Sequence, residues 1–182
     1  MTDKRDRFER EVLPHLDAAY NFARWLTRSG ADAEDIVQEA LLLAFRNFDS
    51  KRGANAKPWL LAIVRNCYLS AARRDIPRER RTDTIESDGT SGAGEVLLAA
   101  DDPEQATINR DHARRLDEVL RLIPSDYREV LILREIEELS YQEIATVTGT
   151  PIGTVMSRLS RARTALRSQW LTHVGGTADA LS

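Results

Sequence analysis

Apolar residues recur at helical spacing along most of this chain, without sustained period-two alternation. Spacings of three and four put side chains on one face of a helix, so the pattern predicts an all-α fold. The first stripe is Phe8, Val12, Leu13, Leu16, Ala19, Tyr20, Ala23 and Leu26, read as one helix that Gly30 ends. Asp32, with Asp35 three residues on, resembles a capping box for a helix over 33–48. Its inward stripe is Val37, Ala40, Leu41, Ala44, Phe45 and Phe48. A polar loop, DSKRGANAK (49–57), leads to Pro58, which opens a third helix from Trp59 to about Arg74.

The periodicity lapses from 76 to 108. RTDTIESDGTSGAGE is acidic and rich in Gly and Ser, the composition of a flexible linker, and Pro77 and Pro103 bracket it. Helices are predicted again at 105–122, 125–137, 140–147 and 151–170. Ser140 and Glu143 form a capping box ahead of Ile144 and Ala145; Thr150 caps the last helix and Pro151 takes its first position. The organisation expected is two small helical domains, 1–75 and 109–174, joined by a flexible acidic linker at 76–108 and followed by a disordered tail at 175–182.

Charge sharpens this division. The net charge is only −3, which argues against a uniformly basic nucleic-acid coat. By segment the balance is +2 over 1–75, −5 over 76–108, −3 over 109–150 and +3 over 151–182. Local charge should therefore decide partners. One cysteine, Cys67, cannot form an internal disulfide and reads as a small buried hydrophobe; no His/Cys cluster offers zinc ligands. The start MTDKRDRFERE is charged, with no apolar signal core, and no run approaches the roughly 20 apolar residues of a membrane span. The expectation is a cytoplasmic protein that takes no cofactor, no metal and no small-molecule substrate.

The +3 segment is a helix with Arg158, Arg161, Arg163 and Arg167 and no acid between Thr150 and Trp170. The short 140–147 helix, the turn Thr148-Gly149-Thr150 and this longer helix make a helix-turn-helix pattern. At 100° per residue, Val155, Leu159, Ala162 and Leu166 face the core. Gly153, Ser157, Ser160, Arg161 and Thr164 face away, with Met156, Arg158, Arg163 and Arg167 on the flanks. A face of small residues lets a helix backbone approach a groove, hydroxyls can reach phosphates or bases, and Ile152 and Met156 could touch thymine methyls. A solvated basic face is the bland alternative. Four arginines give a modest, salt-sensitive grip that needs help from another surface.

The first domain carries two further surfaces. The outward face of the 33–48 helix holds Asp35, Gln38, Glu39, Leu42 and Arg46. An apolar residue among charges reads either as a lone exposed leucine or as the anchor of a protein-binding face. The 49–57 loop carries Lys51, Arg52, Asn55 and Lys57, and the next helix carries Arg65, Asn66, Ser70, Arg73 and Arg74, near Trp59 and Tyr68. Basic groups, amides and aromatics together suit single-stranded DNA; the alternative is that Trp59 is core and the arginines are solvated.

At this point the sequence resembles the sigma-70 family, in its small two-domain extracytoplasmic-function (ECF) group. ADAEDIVQEALLLAFRNF is similar to the polymerase-binding part of region 2, KPWLLAIVRNCYLSAARR to the part that reads the −10 element, and IPSDYREVLILREIEELSYQEIATVTGTPIGTVMSRLSRARTAL to region 4. The resemblance implies that Asp35, Gln38, Glu39 and Leu42 contact the coiled coil of the polymerase's largest subunit. It implies that the loop with Lys51, Arg52, Asn55 and Lys57 captures a flipped base of the −10 element, and that Arg65, Asn66, Ser70, Arg73 and Arg74 hold the melted strand. Thr150, Pro151, Gly153, Thr154, Ser157, Arg158, Ser160, Arg161 and Arg163 would face the −35 element. Met156 stands where many relatives carry Lys or Arg, which leaves a phosphate contact there in doubt. The family's linker runs through the polymerase active-centre cleft, and an anti-sigma factor usually holds both domains. The function implied is a promoter-specificity factor with no chemistry of its own.

Two other readings compete. A conventional helix-turn-helix repressor would bind palindromic duplex alone. An enzyme would need a nucleophile, phosphate or metal motif, and His15, His112 and His173 stand in separate segments without obvious partners.

Overall fold

The computed structural model describes residues 2–27, 29–79 and 114–178. Its elements are α1 (Thr2–Glu11), a 3-10 turn (Leu13–His15), α2 (Leu16–Leu26), α3 (Gly30–Asn47), a second 3-10 turn (Phe48–Ser50), α4 (Ala56–Glu79), a helical stretch α5 at 114–121, α6 (Ser125–Glu135), α7 (Tyr141–Thr148) and α8 (Ile152–Ala178). The described residues are all-α.

The single N-terminal helix expected from the stripe is in fact two. Pro14 sits in the 3-10 turn between α1 and α2, where a residue without an N–H can be tolerated but cannot continue an α-helix. The turn resets the phase. Leu13 and Leu16, expected inside, are 40% and 37% exposed, while Phe22, outside the expected stripe, is completely buried. The α2–α3 junction also differs: α2 ends at Leu26, Gly30 begins α3, and Ser29 rather than Asp32 is the cap, its side chain accepting from the Asp32 N–H. Phe45 lies half out of the core, edge-on to Phe8 and beneath Lys4.

Other boundaries move by a few residues. Helix α4 starts at Ala56 and continues through Pro77 to Glu79, into the stretch read as linker. Helix α8 runs to Ala178, past the start of the expected tail. The remaining linker positions, 80–108, the 105–113 part of the fourth expected helix and residues 179–182 lie outside the described residues.

Helices α2, α3 and α4 pack on one another, as do α6, α7 and α8; α4 also lies against α7, and α2 against α6. One buried cluster therefore crosses from Phe22, Leu60, Leu61 and Val64 to Leu133, Ile144, Val155 and Leu159. A smaller one, Leu120, Ile123, Leu131 and Ala162, takes Trp25 and Tyr127 on its border. Helix α6 has six consecutive buried residues, Arg128–Leu133, as expected of a helix covered all round.

Candidate polymerase and promoter interface

The helix-turn-helix is fixed by local chemistry. Ser140 accepts from the Glu143 N–H, and the Glu143 carboxylate accepts from the Ser140 N–H at 2.8 Å, so the capping box closes in both directions. The bond from the Ser140 backbone is the main cause holding the Glu143 carboxyl below its ordinary pKa, against an opposing effect of burial. Gly149 ends α7 with φ 64, a left-handed conformation that a residue with a Cβ adopts at a cost. The Thr148 and Thr150 hydroxyls share a 2.8 Å bond. The first helical carbonyl of α8 is that of Pro151, which accepts from Val155, one residue later than the expected Thr150 cap.

Helix α8 turns its faces as the angles require. Val155, Leu159 and Ala162 are buried. Pro151, Gly153, Ser157, Ser160, Arg161 and Thr164 are exposed, Thr150 and Thr154 are half-buried, and Ile152 and Met156 are 39% and 52% exposed. Three arginines of α8 are held by their own domain. Arg158 pairs with Asp126 at 3.0 Å, Arg163 with Glu135 at 2.7 Å, and Arg161 reaches the Tyr127 hydroxyl at 3.5 Å.

On α3, Asp35, Gln38, Glu39, Leu42 and Arg46 are all exposed, and Leu42 is 62% exposed. Asp35 and Glu39 border an open cleft of about 920 Å³, whose far wall includes Tyr68 and Arg73 of α4 and Ser125 of α6. Glu39 also lies 3.5 Å from Arg74.

The basic loop is the surface that differs most from its sequence reading. Lys51 is turned inward: its side chain is 8% exposed and pairs with Glu11 at 3.0 Å. Asp49 is clamped by Lys4 and Arg7, at 2.8 and 2.9 Å, and the Lys4 hydrogen bond is the main cause that lowers its pKa. Asn55 caps α4, its Oδ1 accepting from the Lys57 N–H, while its Nδ2 donates to Glu143 at 2.7 Å. Lys57 pairs with Glu137 at 2.9 Å and donates to its carbonyl at 2.8 Å. Arg65 makes a two-pronged pair with Glu129, at 2.5 and 3.3 Å. Arg52, Asn66, Ser70, Arg73 and Arg74 are exposed. Trp59 is packed against the core and edge-on to Phe48, and Cys67 is buried, its thiol pushed up to about 11 by desolvation first and Glu39 second. Sequence reasoning missed the three carboxylates, because nothing in local spacing ties Glu129, Glu137 and Glu143 to Arg65, Lys57 and Asn55, some 64 to 88 positions away.

Two helical regions, one with an exposed acid-and-leucine face beside a basic loop and one with a helix-turn-helix, match known proteins in that order. The family model for Sigma-70 region 2 matches residues 12–76, and that for Sigma-70, region 4 matches residues 113–166. The chain is 37% identical over 139 residues to the ECF RNA polymerase sigma-E factor of Escherichia coli (strain K12), covering 74% of this chain and 72% of that one. It is 32% identical over 171 residues to the ECF RNA polymerase sigma factor SigE of Mycolicibacterium smegmatis, covering 92% and 63%. Among solved structures, the sigma factor RpoE, co-crystallised with the anti-sigma factor NepR from Bartonella quintana, superposes with a TM-score of 0.72 at 32% identity, covering 90% of this chain and 96% of that one. CnrH, in complex with the cytosolic domain of CnrY, shares the fold, with a TM-score of 0.61 at 24% identity.

The chain belongs to the ECF group of sigma-70 family RNA polymerase sigma factors. Its work is to join core RNA polymerase and direct it to promoter DNA; sigma factors are not enzymes, and nucleotidyl transfer belongs to the polymerase. Among the described residues no helix is long and apolar enough to cross a membrane.

Proposed function

We propose that this sigma factor divides its work among three surfaces. The α3 face of Asp35, Gln38, Glu39 and Leu42 docks on core polymerase. Arg52, Asn55, Lys57, Arg65, Asn66, Ser70, Arg73 and Arg74 take the unstacked −10 strand, with Lys51 bracing the loop from beneath. The start and outer face of α8, from Thr150 to Arg163, enters the −35 major groove. The domains are the segments 1–75 and 109–174, and the factor works in the cytoplasm under an anti-sigma factor, as the partner of the RpoE relative suggests.

The observation that carries this reading is the acid-free outer face of α8, made of Gly153, Ser157, Ser160 and Arg161 and presented by a capped α7 and the left-handed Gly149. A small-residue face flanked by arginines suits close approach to a groove with phosphate contacts on both sides. The test is run-off transcription with purified core polymerase, combined with footprinting of the holoenzyme. Transcripts should require both proteins, and protection should cover two separated promoter stretches. Protection of one stretch, or tight palindromic duplex binding by the chain alone, would overturn the reading.

A further inference from the structure

Helix α1 lies ahead of residues 12–76, the stretch that the Sigma-70 region 2 model matches. Yet it holds the loop proposed for the −10 strand at two points. At the near end, Lys4 and Arg7 of α1 pair with Asp49 at 2.8 and 2.9 Å, and Lys4 also reaches the Arg46 carbonyl at 3.5 Å. Further along, the contact runs through Lys51. Its ammonium pairs with Glu11 of α1 at 3.0 Å and donates to the carbonyl of Gly53 at 3.2 Å. Gly53 has φ 88, a left-handed conformation that suits a glycine. Beneath these polar contacts, Phe8 of α1 stands edge-on to Phe45 and Phe48, with ring centres 5.2 and 5.4 Å apart. Arg7 and Lys51 lie 5.4 and 5.9 Å from the centre of the Phe48 ring. Asn55 fixes the far end of the loop by capping α4. Arg52 is exposed between these fixed points.

Lys51 is the informative residue. A lysine beside a DNA strand ordinarily keeps its ammonium in water, where a phosphate can meet it. Here the side chain is 8% exposed, and the ammonium is engaged by an acid and a carbonyl of the protein. The loop gives up a cation and gains a fixed backbone. A loop already ordered loses less entropy when a ligand enters it.

We propose that Glu11, Lys51 and Asp49 are positioning residues for the −10 strand. Helix α1 sets the loop backbone through the relay Glu11–Lys51–Gly53 and the clamp of Lys4 and Arg7 on Asp49, so that Arg52 stands ready beside an unstacked base. Two acids thereby help the protein to hold an anion.

This inference rests on the proposed −10 role of the loop, and the sign of the effect makes it testable. Glu11→Ala and Asp49→Ala each remove a negative charge from the loop's support, and Coulomb attraction alone would then tighten DNA binding. Positioning demands the reverse. The assay uses holoenzyme carrying the full-length chain and a promoter fragment chosen by mapping transcript starts after overexpression. The Kd for the dye-labelled fragment is compared with that for the same fragment with its −10 element replaced. Either substitution should lower the advantage of the intact fragment about five-fold, the loss when the loop's competent fraction falls from near one to about a fifth. Affinity for core polymerase and the melting temperature should stay as in the wild type. Glu11→Gln is the milder variant if Glu11→Ala unfolds. An unchanged or larger advantage overturns the positioning role. So does a parallel fall in core binding and melting temperature, which would make α1 a scaffold and nothing more. Arg52→Gln with Arg73→Gln tests the underlying assignment in the same assay. If it lowers the advantage and the acid variants do not, the −10 reading stands and positioning falls; if neither lowers it, both fall.

Discussion

Leu42→Ala should separate polymerase binding from folding. Leu42 sits on the outward face of α3 with 62% of its surface in water. Its loss therefore opens no cavity in the core, and alanine is a better helix former than leucine by a few tenths of a kcal/mol. Complete burial of a leucine side chain contributes about 1.5–3 kcal/mol. A partner that covers the exposed 62% gains about 1–2 kcal/mol from it. Removing that contribution weakens binding roughly 5- to 30-fold, at about 1.4 kcal/mol per factor of ten. The assay is titration of core polymerase into the labelled sigma factor, read by fluorescence anisotropy, alongside thermal unfolding of the same sample. The expected result is a weaker Kd with an unchanged melting temperature. An unchanged Kd would refute the placing of the polymerase surface on α3, and a fall in melting temperature large enough to account for the lost binding would refute the claim that Leu42 is free of the core.

Two further outcomes test the helix-turn-helix. Ser140→Ala removes one half of the capping box and should cost about 1 kcal/mol, read as a melting temperature lower by about 4–8 °C if region 4 unfolds as a unit. No change in melting would mean that the box carries no weight in α7. Because the folded state holds Glu143 below its ordinary pKa, its stabilisation is complete above that ordinary value and is lost as pH falls through the lowered one. Stability measured from pH 7 downwards should therefore show this loss only in the acid range, and Glu143→Gln should flatten it; an equal acid loss in the variant would place the cause elsewhere.

Much of this molecule is legible in the sequence because its signals are local. The Ser140–Glu143 box, the Gly149 turn and the Val155–Leu159–Ala162 stripe each lie within a few residues, and the structure has all three. The pattern predicts one first helix where there are two, because Leu13 and Leu16 fit a helical period that Pro14 interrupts; a 3-10 turn shifts the phase without breaking the apolar pattern. The sequence suits the basic loop to single-stranded DNA but not to its carboxylate partners, because charge in a sequence carries no record of distant partners. Lys57 is eighty positions from Glu137, and only packing of α4 on α7 brings them together. The burial of Val130–Leu133 on every side, with α2 supplying part of the cover, likewise depends on contacts far along the chain.

The arginines of α8 have a consequence for how tightly DNA can be held. Arg158, half-buried, and Arg163, exposed, each rest on an exposed acid of α6, and a pair that open to water is worth about 1 kcal/mol or less. Away from DNA, this helix thus brings its own counterions. Each arginine that moves to a phosphate leaves a carboxylate behind, which must draw a cation from solution, so part of the entropy gained when the duplex sheds its ions is handed back. On the proposed reading α8 is in this sense a muted cation: orderly on its flanks, modest in its pull, and reliant on shape to settle into the groove.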